Sequence, residues 1–231
     1  MNIHGFTKTT LLDYPGLVAA TIFTGGCNFR CPFCHNFDLV LNPTIFPQED
    51  TNDILSFLKK RYGILKGVCI SGGEPTLNKD LGDFIAQIKD IGYKVKLDTN
   101  GYHPEVIKKL LDKELIDYIA MDIKAGRDNY SLATGINDID VKTIEESVNI
   151  IQASNISYEF RTSAVKNIHS SLDFEDIGDW LSSDCNYFLQ NYKATDGIGS
   201  INCDSFNEDE LKTFLNIIKE HIPNCSLRGV D

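Results

Sequence analysis

Three cysteines fall within eight residues, Cys27-Asn-Phe-Arg-Cys31-Pro-Phe-Cys34, and they are the densest set of soft donors in the chain. Thiolate is the ligand that iron–sulfur clusters and zinc prefer. The spacing is three residues and then two, with no fourth cysteine nearby. A cubane held by three thiolates keeps one iron without a protein ligand, and an open coordination position marks a reactive centre, as it does in catalytic zinc sites. Two other readings stay open on the loop alone: a closed zinc site completed by His35, and three unrelated buried thiols.

The loop needs an element to hold it. An apolar run, Leu17-Val-Ala-Ala-Thr-Ile-Phe23, reads as a buried strand that ends in Thr24-Gly25-Gly26. Beyond the cysteines, Leu39 to Pro47 is expected to be irregular, because Pro43 and Pro47 bar a continuous helix. Asp50 or Thr51 caps a helix running to about Arg61, and Val68-Cys-Ile70 is a short strand entering Ser71-Gly-Gly-Glu-Pro75. Asp80 to Ile91 has helical spacing and stops at Gly92. Tyr93 to Asp98 is a strand leading into Thr99-Asn-Gly101, and Pro104 to Leu111 is a helix with proline in its first turn.

The alternation continues through a strand from Asp117 to Ile123, a helix from Val141 to Ala153 and a strand from Ser157 to Thr162. A helix from Phe174 to Leu181, a strand from Tyr187 to Gln190 and a helix from Glu208 to His221 follow, with Cys225 to Gly229 as a candidate terminal strand. Six strand–helix units in a row predict an α/β fold, a parallel sheet with right-handed crossovers. Six units are too few for a closed eight-fold barrel, so the expectation is an open, partial (β/α)6 TIM-like barrel. We expect one domain over residues 1–231: an extension over 1–16, the six units over 17–221 and a tail over 222–231.

Composition narrows the function class. The 231 residues carry 33 acidic against 22 basic side chains, a formal charge of −11, which argues against a nucleic-acid footprint. Hydrophobic content of 42% is ordinary for a soluble globular chain. No apolar run approaches the ~20 residues of a membrane span, and the first residues lack a signal peptide's pattern. Seven cysteines, an odd number with three clustered, speak against a disulfide framework and for a reducing cytoplasm. The acidity is spread along the chain and reads as solvated surface.

In parallel α/β folds the strand C-terminal ends carry the site, because their loops converge on one mouth. The cysteine loop follows strand one of this set, and Gly72-Gly-Glu-Pro75 follows strand two. Asp98-Thr-Asn-Gly101 ends strand three, Asp122-Ile-Lys124 ends strand four, Arg161 lies near the end of strand five, and Gln190 ends strand six. Paired glycines let the backbone approach a ligand closely, and with Glu74 they could bind an ammonium through carbonyls and a carboxylate. Lys124 could pair with a ligand carboxylate, and Asp98 and Asp122 could accept from an ammonium or from ribose hydroxyls. Such a set suits an amino-acid zwitterion. Taken singly, each of these loops reads as an ordinary turn or solvated loop end.

Tyr14-Pro-Gly, Cys27, Cys31 and Cys34 followed by His35-Asn36, Ser71-Gly-Gly-Glu-Pro75, Leu97-Asp-Thr-Asn-Gly101 and Met121-Asp-Ile-Lys124 together resemble the radical S-adenosylmethionine (radical SAM) activating enzymes of glycyl-radical proteins. The wording is nearest to the activating proteins of anaerobic ribonucleoside-triphosphate reductase, with the pyruvate formate-lyase activating enzymes close behind. The likeness is strong over about residues 6–130 and beyond that rests on strand–helix order. It implies a [4Fe-4S] cluster on Cys27, Cys31 and Cys34, and S-adenosylmethionine cleaved by one electron to methionine and a 5′-deoxyadenosyl radical. The radical would take a hydrogen from a glycine Cα of a partner enzyme. The electron would come from a one-electron donor such as flavodoxin or ferredoxin.

By the same resemblance Phe33 and His35 would lie along the adenine, and Gly72, Gly73 and Glu74 at the methionine amino group. Asp98, Asn100, Asp122 and Lys124 would meet methionine polar groups or ribose. A histidine that some relatives place after strand six has no match, since Asn191-Tyr192 stands there. Cys69, Cys185, Cys203 and Cys225 are widely and irregularly spaced and read as plain buried thiols, Cys69 as a core residue of its strand. Two rival functions are a radical enzyme acting on a small molecule or peptide, and a zinc-binding interaction domain that would leave the aligned strand ends unexplained.

Overall fold

The computed structural model describes residues 1–193 and 203–229. The last two residues of the expected 222–231 tail, and 194–202 within the sixth unit, lie outside the described residues. Among the described residues a single sheet of eight strands runs in sequence order: β1 (Ile3–Thr10), β2 (Ala19–Thr24), β3 (Gly67–Gly72), β4 (Lys94–Thr99), β5 (Tyr118–Asp122), β6 (Ser157–Ala164), β7 (Tyr187–Asn191) and β8 (Cys225–Arg228). The strands β2 to β8 are mutually parallel, and β1 pairs antiparallel with β2. A parallel sheet in strictly sequential order, each strand followed by a crossover, curves into a partial barrel. The α/β architecture is that of the expected open barrel.

The helices are α1 (Phe37–Leu41), α2 (Thr51–Arg61), α3 (Leu81–Ile91), α4 (Pro104–Asp112), α5 (Tyr130–Thr134), α6 (Val141–Gln152), α7 (Ser171–Trp180) and α8 (Glu208–His221). Local chemistry sets their ends. The Asp50 carboxylate accepts from the Asn52 N–H at 2.7 Å to start α2. Gly92, at φ +104°, stops α3 in the left-handed conformation that a side chain would disfavour. Ser170 and Asp173 form a reciprocal capping box, so α7 begins at Ser171 rather than at Phe174 as the apolar spacing suggests.

Strand alternation sorts the sheet into two faces. Val68, Ile70, Val95, Leu97, Ile119 and Phe160 are fully buried in the hydrophobic layer that also holds Leu58, Ile85, Ile107 and Ile144 of the helices. The intervening residues Cys69, Lys96, Asp98, Glu159 and Arg161 point to the concave side and contact one another there. One face is thus apolar packing, and the other is a charged barrel interior.

Three expectations change. Residues 1–16 are not a mere extension: Ile3–Thr10 closes the sheet edge beside β2, with Ile3 wholly buried and Phe6 edge-on to Phe57 of α2 at 5.3 Å. Its polar His4 and Lys8 mask the strand pattern. The segment read as irregular, Leu39 to Pro47, begins inside α1, whose Leu39 and Val40 reach the core, and Pro43 opens a single 3-10 turn. The short helix α5 lies in the β5–α6 connection, where no periodicity announces it. The candidate terminal strand does form, parallel to β7.

The edge strand also anchors the cysteine loop. The Gly25 N–H donates to the Asn2 carbonyl at 2.9 Å and the Asn2 carboxamide returns a bond to the Gly25 carbonyl at 3.1 Å. Placing a carboxylate at Ile3 puts an unpaired charge in this seam. Ile3→Asp is expected to cost about 3 kcal/mol, read as a lowered urea midpoint with little change in slope. Unchanged stability would mean that β1 is not part of the cooperative fold.

Candidate functional site

The loops after β2 and β3 are drawn together by backbone approach. The Gly73 N–H donates to the Thr24 carbonyl at 2.8 Å and the Glu74 N–H to the Gly26 carbonyl at 2.9 Å. A Cβ on Gly73 would sit 1.9 Å from the Gly26 carbonyl oxygen, so only glycine permits this contact. The Asn36 carboxamide donates to the Gly72 carbonyl at 2.9 Å, and the Arg30 N–H to the Thr134 carbonyl of α5 at 2.8 Å. The cysteine loop is therefore held from both sides.

These loops wall a cavity of about 270 Å³ at the strand C-terminal ends. Cys27, Cys31 and Cys34 line it, with Phe33 and His35 from the same loop. Gly72 and Gly73 come from the end of β3, Asp98 and Asn100 from the end of β4, and Asp122 and Lys124 from the end of β5. Arg161, Ser163 and Gln190 complete the far wall from β6 and β7. Eleven of the twelve residues expected from the sequence thus share one cavity.

Glu74 is the exception. Its carboxylate is fully buried and turned away from the cavity. One oxygen accepts from the Thr76 N–H at 3.0 Å, the Thr76 hydroxyl at 2.5 Å and the Thr99 hydroxyl at 2.8 Å, while the other accepts from the Asn100 N–H at 2.7 Å. Burial pushes its carboxyl upward, and these bonds pull part of the way back. The sequence reading offered this carboxylate to a ligand ammonium. The structure uses it to splice the β3 loop to the β4 loop.

Charge on the barrel floor centres on Arg161, whose sequence position gave no hint of its partners. Its Nε and Nη2 both lie 2.9 Å from Asp122 Oδ1, and Lys124 Nζ lies 2.9 Å from Asp122 Oδ2. Arg161 also faces Asp98 at 3.8 Å and Glu159 at 3.9 Å. Burial opposes the charged form of Asp122, but Arg161 and Lys124 outweigh it and hold the carboxyl well below its usual range. Burial likewise works against the Lys124 ammonium, and Asp122 more than compensates. Lys96, 2% exposed, pairs with Asp98 from below. It was legible as lying two residues before Asp98, hence on the same strand face.

His169 also escaped the sequence reading. Its Nδ1 accepts from the Val165 N–H at 3.0 Å, which fixes the proton on Nε2, and that donates to the Lys124 carbonyl at 2.7 Å. Burial lowers the ring's proton affinity, and the bonds to Lys124 and Val165 oppose that only in part. Tyr192, just after β7, is buried with its ring 5.4 Å from that of His35.

All seven cysteines are free thiols. Burial pushes Cys27 up to about 11, Cys31 up to about 12, and Cys34 upward. Among the described residues no three His, Cys, Asp or Glu side chains stand as a ready-made metal-ligand set, and that includes His35 with the cysteines. The donor chemistry nevertheless fits a cluster: three thiols on one short loop face one cavity, and each can release a proton to a metal centre.

The profile of the Radical SAM superfamily matches residues 21–177. The chain belongs to the Radical SAM superfamily. Members use a [4Fe-4S] cluster and S-adenosylmethionine, which are accordingly the cofactors of this radical SAM protein. A Methanocaldococcus jannaschii protein named "Putative glycyl-radical enzyme activating enzyme" is 34% identical, over 99% of this chain and 96% of its own length. A second protein of that organism and name is 30% identical over 90% of this chain and 80% of its own. The structure of Streptococcus suis SuiB bound to precursor peptide SuiA superposes with a TM-score of 0.69 at 15% identity, over 90% of this chain and 48% of SuiB, a likeness of fold. Among the described residues no helix is long and apolar enough to cross a membrane.

Two outcomes follow from the site's bonding. Glu74→Gln swaps an accepting oxygen for an amide that faces backbone donors in either orientation, and it is expected to cost about 1–3 kcal/mol in urea unfolding. A neutral result would show that the splice is dispensable. The depressed Asp122 carboxyl contributes stability that is present above its unfolded value of 3.8 and fades as pH falls below it. In Asp122→Asn the melting temperature should therefore vary less between pH 5 and about pH 2 than in the parent protein, and an equally steep acid-side fall would assign the loss to other groups.

Proposed function

We propose that this radical SAM protein is an activating enzyme that installs a glycyl radical on a partner, and that the partner is an anaerobic ribonucleoside-triphosphate reductase. The likeness to the two M. jannaschii proteins, nearly end to end for the first, carries the reading. The reductase as partner is supported by the wording of the motifs at the cysteine loop and at Leu97-Asp-Thr-Asn-Gly101. A one-electron donor of the flavodoxin or ferredoxin class would serve the same mouth.

Cys27, Cys31 and Cys34 are the residues that would hold the cluster. Bound there, it would supply the one electron that reductive cleavage of the S-adenosylmethionine sulfonium requires. Lys124 offers its ammonium to the methionine carboxylate, and Asp122, locked by Arg161, fixes where that ammonium stands. The backbone of Gly72 and Gly73 would receive the methionine amino group, while Glu74 acts behind them by holding the loop. Asp98 and Asn100 face ribose or methionine polar groups from β4. Phe33, 5% exposed, and His35 line the cavity from the cysteine loop and would pack along the adenine.

Reconstitution with iron and sulfide without oxygen should yield a cluster that shows EPR on reduction, and S-adenosylmethionine should perturb that signal. Cys31→Ala should lose the cluster and lower glycyl-radical formation on the reductase at least about 100-fold. A doublet EPR signal of a glycyl radical in the reductase is the expected product. Rapid turnover of a small molecule or peptide without a protein radical would point to the rival enzyme class, and stoichiometric zinc without sulfide would sink the radical reading altogether.

A further inference from the structure

The two asparagines beside the cysteine loop have more donors than the fold uses. Asn100 is 6% exposed. Its Oδ1 accepts from the Tyr102 N–H at 3.0 Å, which fixes the orientation of the carboxamide and turns Nδ2 toward the cysteines. One Nδ2 proton goes to Asn28 Oδ1 at 2.8 Å. The other faces Cys27 Sγ at 3.7 Å. Cys27 Sγ also accepts from the Phe29 N–H at 3.4 Å. Asn28 Oδ1, engaged by Asn100, also accepts from the Cys27 thiol at 3.7 Å, a bond lost once the thiol ionises, and Asn28 Nδ2 is buried with no hydrogen-bond partner. A buried amide donor left unpaired costs about 1–3 kcal/mol, so an acceptor on this side of the loop is implied.

We propose that Asn100, aimed by Asn28 and Tyr102, is a positioning residue that donates an N–H to the Cys27 sulfur and raises the reduction potential of the cluster held there. The inference rests on the assignment of Cys27, Cys31 and Cys34 as cluster ligands. Reduction adds one negative charge to a cluster and its thiolates. An N–H dipole with its positive end at a ligand sulfur stabilises that charge, so the reduced form gains more than the oxidised form. A group that merely shaped the Asn100–Tyr102 turn would affect stability and leave the potential where it was.

The test is a potentiometric EPR titration of reconstituted protein without S-adenosylmethionine, so that Asn100's place in the cavity wall does not enter. Asn100→Ala removes the donor without adding charge. Its oxidised-to-reduced ratio at a fixed potential should rise about threefold to tenfold, tenfold being a fall of 59 mV in the midpoint of a one-electron couple. The exchangeable-deuteron coupling seen on the reduced cluster after transfer to deuterated buffer should weaken in parallel. An unchanged midpoint with a fully loaded cluster overturns the proposal. If Asn100→Ala takes up no cluster, Asn28→Ala carries the test, because it frees the carboxamide that Asn28 aims: a lower midpoint supports the proposal and a parental one overturns it. Parent protein that takes up no iron and sulfide refutes the cluster assignment itself, a different failure.

Discussion

The buried carboxylate of Glu74 is the constraint on which the site's geometry depends. A charged oxygen pair out of water is tolerated only when its lone pairs are engaged. Here the required donors come from both the β3 and β4 loops: two from Thr76, one from Thr99 and one from the Asn100 backbone. Satisfying Glu74 therefore fixes the distance between those loops. The Gly73 approach to Thr24 and Gly26 then fixes the cysteine loop against them. A single unsolvated group thus sets three strand ends in register.

Below that splice, the interior of the barrel is ionic where most protein interiors are apolar. Lys96, Asp98, Asp122, Lys124, Glu159 and Arg161 are joined in one run, which Arg228 extends by a two-point bond to Glu159 at 2.9 Å each. Such an arrangement adds little to net stability, because desolvation offsets attraction. Its value is directional: each charge at the cavity floor is held by an opposite one, within its own strand as for Lys96 and Asp98 or across strands as for Arg161 and Asp122. His169 adds a neutral tie that places the Lys124 backbone.

Much of this was legible in the amino-acid order. The cysteine spacing, the Gly-Gly-Glu-Pro segment and the acidic strand ends all stand at the ends of alternating units, and the units are read from apolar spacing and caps. What escaped had a physical reason in each case. β1 was hidden because an edge strand needs only one buried face, and His4 and Lys8 break its run. Type and position assign Glu74 to a ligand, because they do not tell which way a side chain turns. That choice was made by donors on Thr76, Thr99 and Asn100, which come near only after folding. Arg161 and His169 act through partners about 39 to 45 residues away in the chain, a distance over which periodicity carries no information.

The order of the strands leaves β1 and β8 at opposite ends of the sheet. Among the described residues no backbone ladder joins these two edges, so the barrel has a seam. The ring of strands is therefore incomplete, and the cysteine loop, which follows β2, stands one strand in from one of its two free edges.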